Sequence, residues 1–144
     1  MILELMSQVN NHEQTLYGLR YSLTAWRIGS EYAFHEDRGF FFWDAKNKQA
    51  MRCATVPRGI SFIAGGTVEP DAKEFNLAAD VASETYGICS NKFLNEEFKT
   101  IRFEMKITIR SNDSFSCDQD TQLQIKSNPN LFHHTVKNTR SRVK

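Results

Sequence analysis

The chain has 144 residues, a net charge of +1 and a charged fraction of 24%, so no global field draws it to nucleic acid or to a membrane surface. That length fits one domain able to bury roughly 68–70% of its unfolded surface, enough for a hydrophobic core without covalent staples. No apolar run approaches the ~18 residues of a spanning helix, and three cysteines without C-x-x-C spacing argue against a disulfide framework.

Residues 1–8 carry only a short apolar run, broken by Glu4 and lacking a basic leader, so no signal peptide is expected. With unpatterned thiols at Cys53, Cys89 and Cys117, this points to a reducing, cytoplasmic setting. Residues 1–13 read as a flexible or truncated N-terminal edge, with His12 in a loop. Beyond them the chain is nearly all strand and turn. Strands are predicted at Gln14–Trp26, 32–44, Gln49–Val56, 60–68 and 75–82, with turn residues at 44–48 and 69–73. Four consecutive aromatics, Phe40, Phe41, Phe42 and Trp43, suit a strand covered on both faces. Pro57 has no amide donor and must break or bulge the ladder after Val56, which leaves Arg58 beside Gly59. Residues 92–99 have room for one helical turn.

The clearest period of two lies at 101–110. Ile101, Phe103, Met105, Ile107 and Ile109 alternate with Arg102, Glu104, Lys106, Thr108 and Arg110, which predicts a buried face carrying the first set. After a turn at 111–114, a second alternating strand at 115–126 places Phe115, Cys117, Gln119, Thr121, Leu123 and Ile125 on one side. Gln119 and Thr121 interrupt that apolar face. Either they satisfy each other or a buried water, or they are the placed polar groups of a ligand cavity. Residues 136–144 include Lys137, Arg140, Arg142 and Lys144 and no acid; without an aromatic platform they read as a solvated basic tail rather than a nucleic-acid site. Evenly spaced short strands predict an all-β barrel or sandwich in a single domain spanning 1–144.

Five blocks, in order along the chain, carry a resemblance. They are Phe34-His35-Glu36 through Trp43-Asp44, Val56-Pro57-Arg58-Gly59, Ala64-Gly65-Gly66, Tyr86-Gly87-Ile88 and Phe132-His133-His134-Thr135. Together they resemble the nitrobindin-type haem-binding β-barrel family, which is fatty-acid-binding-protein-like and related in shape to the lipocalins. The resemblance implies an antiparallel up-and-down β-barrel with an internal cavity. It also implies haem b, with a histidine near the C-terminus ligating ferric iron, a position that falls on His134. Peroxynitrite isomerase-like activity, or chemistry on nitric oxide, is what the family would bring when loaded with haem. Two departures stand out. No Gly-x-Trp-x-Gly-like signature precedes the first strand, the first glycine being Gly18 and the first tryptophan Trp26, so the barrel is expected to be incomplete at its N-terminus. An unpaired edge near Gln14–Trp26 then favours a homodimer. Val136 and Arg140 stand where the family tends to have an acid and an apolar residue, which removes an acceptor that would orient the ligating imidazole.

The remaining candidates sort by geometry. His133 and His134 are neighbours and point to opposite faces of an extended chain, so they cannot share one metal. His35, beside Glu36 and Asp37, lacks a second histidine at ligand spacing and reads as a solvated charge cluster. Arg58 at a barrel mouth would meet a carboxylate or haem propionate in a bidentate bond, or else form an ion pair with a neighbouring strand. Three functions follow: a haem-binding barrel acting on reactive nitrogen species; a carrier for a fatty-acid-like apolar small molecule anchored by Arg58, Gln119 and Thr121 without catalysis; or a barrel with no ligand.

Overall fold

A computed structural model describes residues 1–143; Lys144, part of the expected basic tail, lies outside the described residues. Among the described residues eleven strands form one sheet: β1 (Ile2–Leu5), β2 (Val9–Asn11), β3 (Gln14–Trp26), β4 (Ala33–Asp44), β5 (Gln49–Val56), β6 (Ile60–Thr67), β7 (Glu74–Val81), β8 (Gly87–Ser90), β9 (Phe98–Ser111), β10 (Ser114–Ile125) and β11 (Phe132–Ser141). One helix, α1 (Lys92–Glu97), falls within the predicted helical turn. No helix among the described residues is long and apolar enough to cross a membrane.

The strand order is β1-β3-β4-β5-β6-β8-β7-β9-β10-β11, with β2 also paired to β3. Every pairing is antiparallel except a two-residue parallel register between β7 and β8. The meander is interrupted there because β8 inserts between β6 and β7 after a short loop, in which Ala82 takes a left-handed conformation (φ 62°). The sheet folds back on itself, so side chains from β3, β5, β9 and β10 meet inside it. It does not close: among the described residues β1 and β11 are the two ends of the order, with no register between them.

Burial by alternation explains the core. Ala64, Leu77, Ala79, Phe103, Met105, Ile107 and Cys117 are buried together, and each large apolar side chain among them contributes roughly 1.5–3 kcal/mol over an exposed one. The predicted face of 101–110 holds at Phe103, Met105 and Ile107. It fails at both ends. A bulge in the β9–β10 ladder shifts Leu123 opposite Thr100, so Thr100 is buried and Ile101 only half-buried, while Ile109 lies at the exposed strand end.

Two expectations about the termini are corrected. Residues 1–13 are paired rather than loose, though β1 is itself the outer strand of the sheet: β1 pairs with Leu19 to Ser22 and β2 with Gln14 to Leu16, leaving Tyr17, Gly18 and Leu23 to Trp26 outside either register. The C-terminal segment is not a solvated tail up to Ser141. Ten cross-strand partners tie β11 to β10, and within it Lys137 pairs with Asp118 while Arg140 is half-buried.

Candidate functional site

Strand direction gathers the singled-out residues at one end of the sheet. The C-terminal ends of β3, β5 and β10 and the starts of β4, β6, β9 and β11 lie there, together with α1. The β5–β6 turn is locked to the helix. Gly59 adopts φ +94°, and a Cβ on it would run into Asn91 Nδ2. Asn91 caps α1 by accepting from the Leu94 amide at 2.9 Å, and its Nδ2 donates to the Arg58 carbonyl at 2.8 Å. Proline at 57 therefore ends β5 as expected, and Arg58 sits exposed on the turn. Its guanidinium forms no ion pair among the described residues.

His134 is exposed near the start of β11, opposite Thr121 of β10 and therefore on the face that turns inward along the strand. Thr121 and Gln119 share that face, with Gln119 Nε2 donating to Thr121 Oγ1 at a long 3.5 Å. His133 points the other way, and its Nδ1 lies 2.7 Å from Asp120 Oδ2 on the outer face. The opposite facing of the two histidines is thus confirmed. His134, Thr121 and Gln119 form one cluster; Arg58 stays apart on its turn.

The strongest electrostatic feature was missed by sequence reasoning. Arg52 on β5 is only 4% exposed, inside the sheet. Its Nη2 donates to Asp37 Oδ2 at 3.1 Å, its Nε to the Tyr21 hydroxyl at 3.1 Å, and its Nη1 reaches Gln119 Oε1 at 3.4 Å. The rings of Tyr21, Phe41, Phe62 and Phe103 surround the guanidinium with centroids 5.2, 5.8, 5.5 and 5.5 Å away. A lone buried charge would be costly; a paired one held among π faces is tolerated. His35 Nε2 lies 3.4 Å from the same Asp37 oxygen, so His35 is drawn to the interior pair rather than left in a solvated cluster. A polar arc therefore runs from His35 through Asp37, Arg52 and Gln119 to Thr121, which faces His134. Desolvation by burial pushes the Tyr21 phenol well above its ordinary value, against the opposing pull of the Arg52 charge. Burial likewise raises the Cys117 thiol, with Arg140 opposing it.

Three concavities have volumes of about 690, 480 and 550 Å³, the first lined by outward residues such as Arg38 and Thr55 and the third by Arg102, Glu104 and Lys106. None is lined by His134, Arg58 or Thr121; Gln119 lines the third. Residues 4–142 match the family described as THAP4-like, heme-binding beta-barrel domain. The chain belongs to that family. No curated protein matches it.

The donor set fits the haem that the THAP4-like domain implies. His134 offers a single imidazole, and among the described residues no three His, Cys, Asp or Glu side chains converge to hold a bare ion. The same end carries exposed apolar side chains, Trp26 and Tyr32 near the β3–β4 turn and Phe93, Leu131 and Phe132 near α1 and the start of β11, whereas Phe34 shares the outer face of Glu36 and Arg38. On the inner face of β11, Asn138 Oδ1 and Arg140 Nε are buried without a protein partner, so that wall retains unused hydrogen-bonding capacity.

Proposed function

We propose that this THAP4-like domain binds ferric haem b at the end of the sheet that carries α1, with His134 as the protein's ligand. The observation that carries the reading is the position of His134: inward-turning face, strand start, facing Thr121, in a chain matched by a haem-binding family over residues 4–142. Bound there, haem would supply a ferric centre for chemistry on peroxynitrite or nitric oxide. The protein's share is binding and shielding. Thr121 and Gln119 are polar groups beside the imidazole, the exposed aromatics cover the macrocycle's faces, and Arg58 on the nearby turn is the candidate cation for a propionate. With Val136 in place of an acid, His134 lacks a carboxylate two residues on, which predicts an exchangeable site. Three free thiols fit a reducing, cytoplasmic setting, and the open outer edge of β11 supports homodimerisation through edge pairing.

Hemin titration tests the reading. Wild-type protein and His133→Ala should give a saturable shift of the Soret band, whereas His134→Ala should not. His133 is the matched control, since its ring is engaged with Asp120 on the outer face. A wild-type protein without a Soret shift, or a His134→Ala protein that keeps it, refutes the assignment.

A further inference from the structure

At the opposite end of the sheet a second concavity of about 480 Å³ opens between β3, β4 and the segment that follows β6. Its walls include Leu19, Phe41, Trp43, Ala50, Phe75 and Leu77. The strand registers place Leu19, Phe41 and Arg52 in one row and Trp43 opposite Ala50, so these side chains belong to the inner face. Its one charged lining residue, Glu69, is already neutralised: both carboxylate oxygens accept from Lys48 Nζ, at 3.1 and 2.8 Å. The buried polar atoms that lack partners, on Asp37, Asp120, Asn138 and Arg140, all belong to residues outside this lining.

We propose that this cavity is a binding site for an uncharged, largely aromatic small molecule, separate from His134. Several observations fix the class of occupant. The volume falls in the ordinary range for small-molecule sites, roughly 300–1,000 Å³. The walls give aromatic faces and aliphatic ends but no free ion to pair with a charged head group, and burying an unpaired charge there would be unfavourable. A carboxylate-headed lipid is thereby disfavoured at this site. The nearest cation inside the sheet, Arg52, is shielded by the Phe41 ring and already bonded to Asp37. The reading does not depend on haem, because the cavity and His134 lie at opposite ends of the strands.

The two tryptophans separate the ends. Trp43 lines this cavity, while Trp26 lies exposed at the end of β3 near His134's side of the sheet. With Trp26→Phe leaving Trp43 as the sole reporter, titration with the uncharged probe N-phenyl-1-naphthylamine should quench Trp43 emission saturably, at one probe per chain. Its anionic sulfonated analogue should bind at least about tenfold more weakly, which is ~1.4 kcal/mol. Ala50→Leu, which fills the cavity from the inner face, and Ala72→Phe, which narrows it from the exposed segment without touching a strand, should each abolish saturable quenching. Ala72→Phe keeps the test valid if Ala50→Leu fails to fold by circular dichroism. Hemin titration of Ala72→Phe should still give the wild-type Soret response, so loss of this site and loss of the His134 site are told apart. Absence of saturable Trp43 quenching, equal binding of the anionic analogue, or unchanged quenching in Ala72→Phe overturns the proposal.

Discussion

Arg52→Met would replace the interior guanidinium with an apolar side chain of similar length. The Asp37 carboxylate, itself 4% exposed, would lose its 3.1 Å partner while its Oδ1 already has none. Tyr21 would lose the donor to its hydroxyl and Gln119 a longer contact, and four rings would lose their cation. Methionine restores much of the dispersion contact, so the dominant loss is at the buried carboxylate, left with only the 3.4 Å contact of His35 Nε2. Breaking one side of a buried pair typically costs about 3–5 kcal/mol. In urea unfolding followed by far-ultraviolet circular dichroism, that corresponds to a midpoint lowered by about 2 M at unchanged slope. The double variant Arg52→Met/Asp37→Asn removes the stranded charge and should recover a substantial part of the loss, giving a coupling energy of about 1–3 kcal/mol between the two positions. A single-variant loss below about 1 kcal/mol, the range of exposed pairs, would refute the claim that the pair is desolvated. So would a double variant whose loss equals the sum of the two single losses.

Other outcomes follow from the same packing. The Tyr21 phenol is raised above its ordinary 10.0, so the unfolded chain gives up that proton first. Stability is then complete below about pH 10 and falls as pH climbs above it, and Tyr21→Phe should flatten that alkaline limb in unfolding measured against pH. Asp44, the carboxylate of the β4–β5 turn, is lowered by bonds from Gln14 first and Asn47 next. Its contribution is present above the usual carboxylate value near 3.8 and lost below it, so Asp44→Asn should lose stability less steeply than wild type as acid is added. Cys89 is exposed, whereas burial raises both the Cys53 and Cys117 thiols. A thiol reagent should therefore modify one cysteine quickly in native protein and the other two only on unfolding, and equal rates for all three would contradict the burial assignments.

Alternation within long strands was readable because it is local. Gln14–Trp26 and Gln49–Val56 are strands with the predicted bounds, and on the wet face of β9 Arg102 pairs with Asp80 and Glu104 while Lys106 pairs with Glu74. The N-terminal strands were not readable, since a four-residue segment such as Ile2–Leu5 is too short to show a period and draws its order from β3. The bulge at Thr100 was hidden for a related reason: it is a property of the β9–β10 pair, not of either strand alone.

Arg52 is the instructive miss, because its position was implied by residues already in hand. The turn at 44–48 sets Asp44 opposite Gln49, and antiparallel pairing then carries Phe41 opposite Arg52. If the Phe41 ring packs inward against Tyr21, its cross-strand partner must face inward too, and so must Asp37, four residues earlier on the same strand. Two charges of opposite sign on one inner face of adjacent strands are more plausible than either alone, since each removes the other's desolvation penalty. Small residues flank the arginine on that face, Ala50 and Ala54, and leave room for its long side chain. Alternation within a single strand does not reveal the inward charge, because it carries no information on the partner across the hairpin. Read across the hairpin, the same residues place Arg52 and Asp37 in the interior. They also mark the centre of the barrel as electrostatically organised, between a histidine-bearing end and an apolar one.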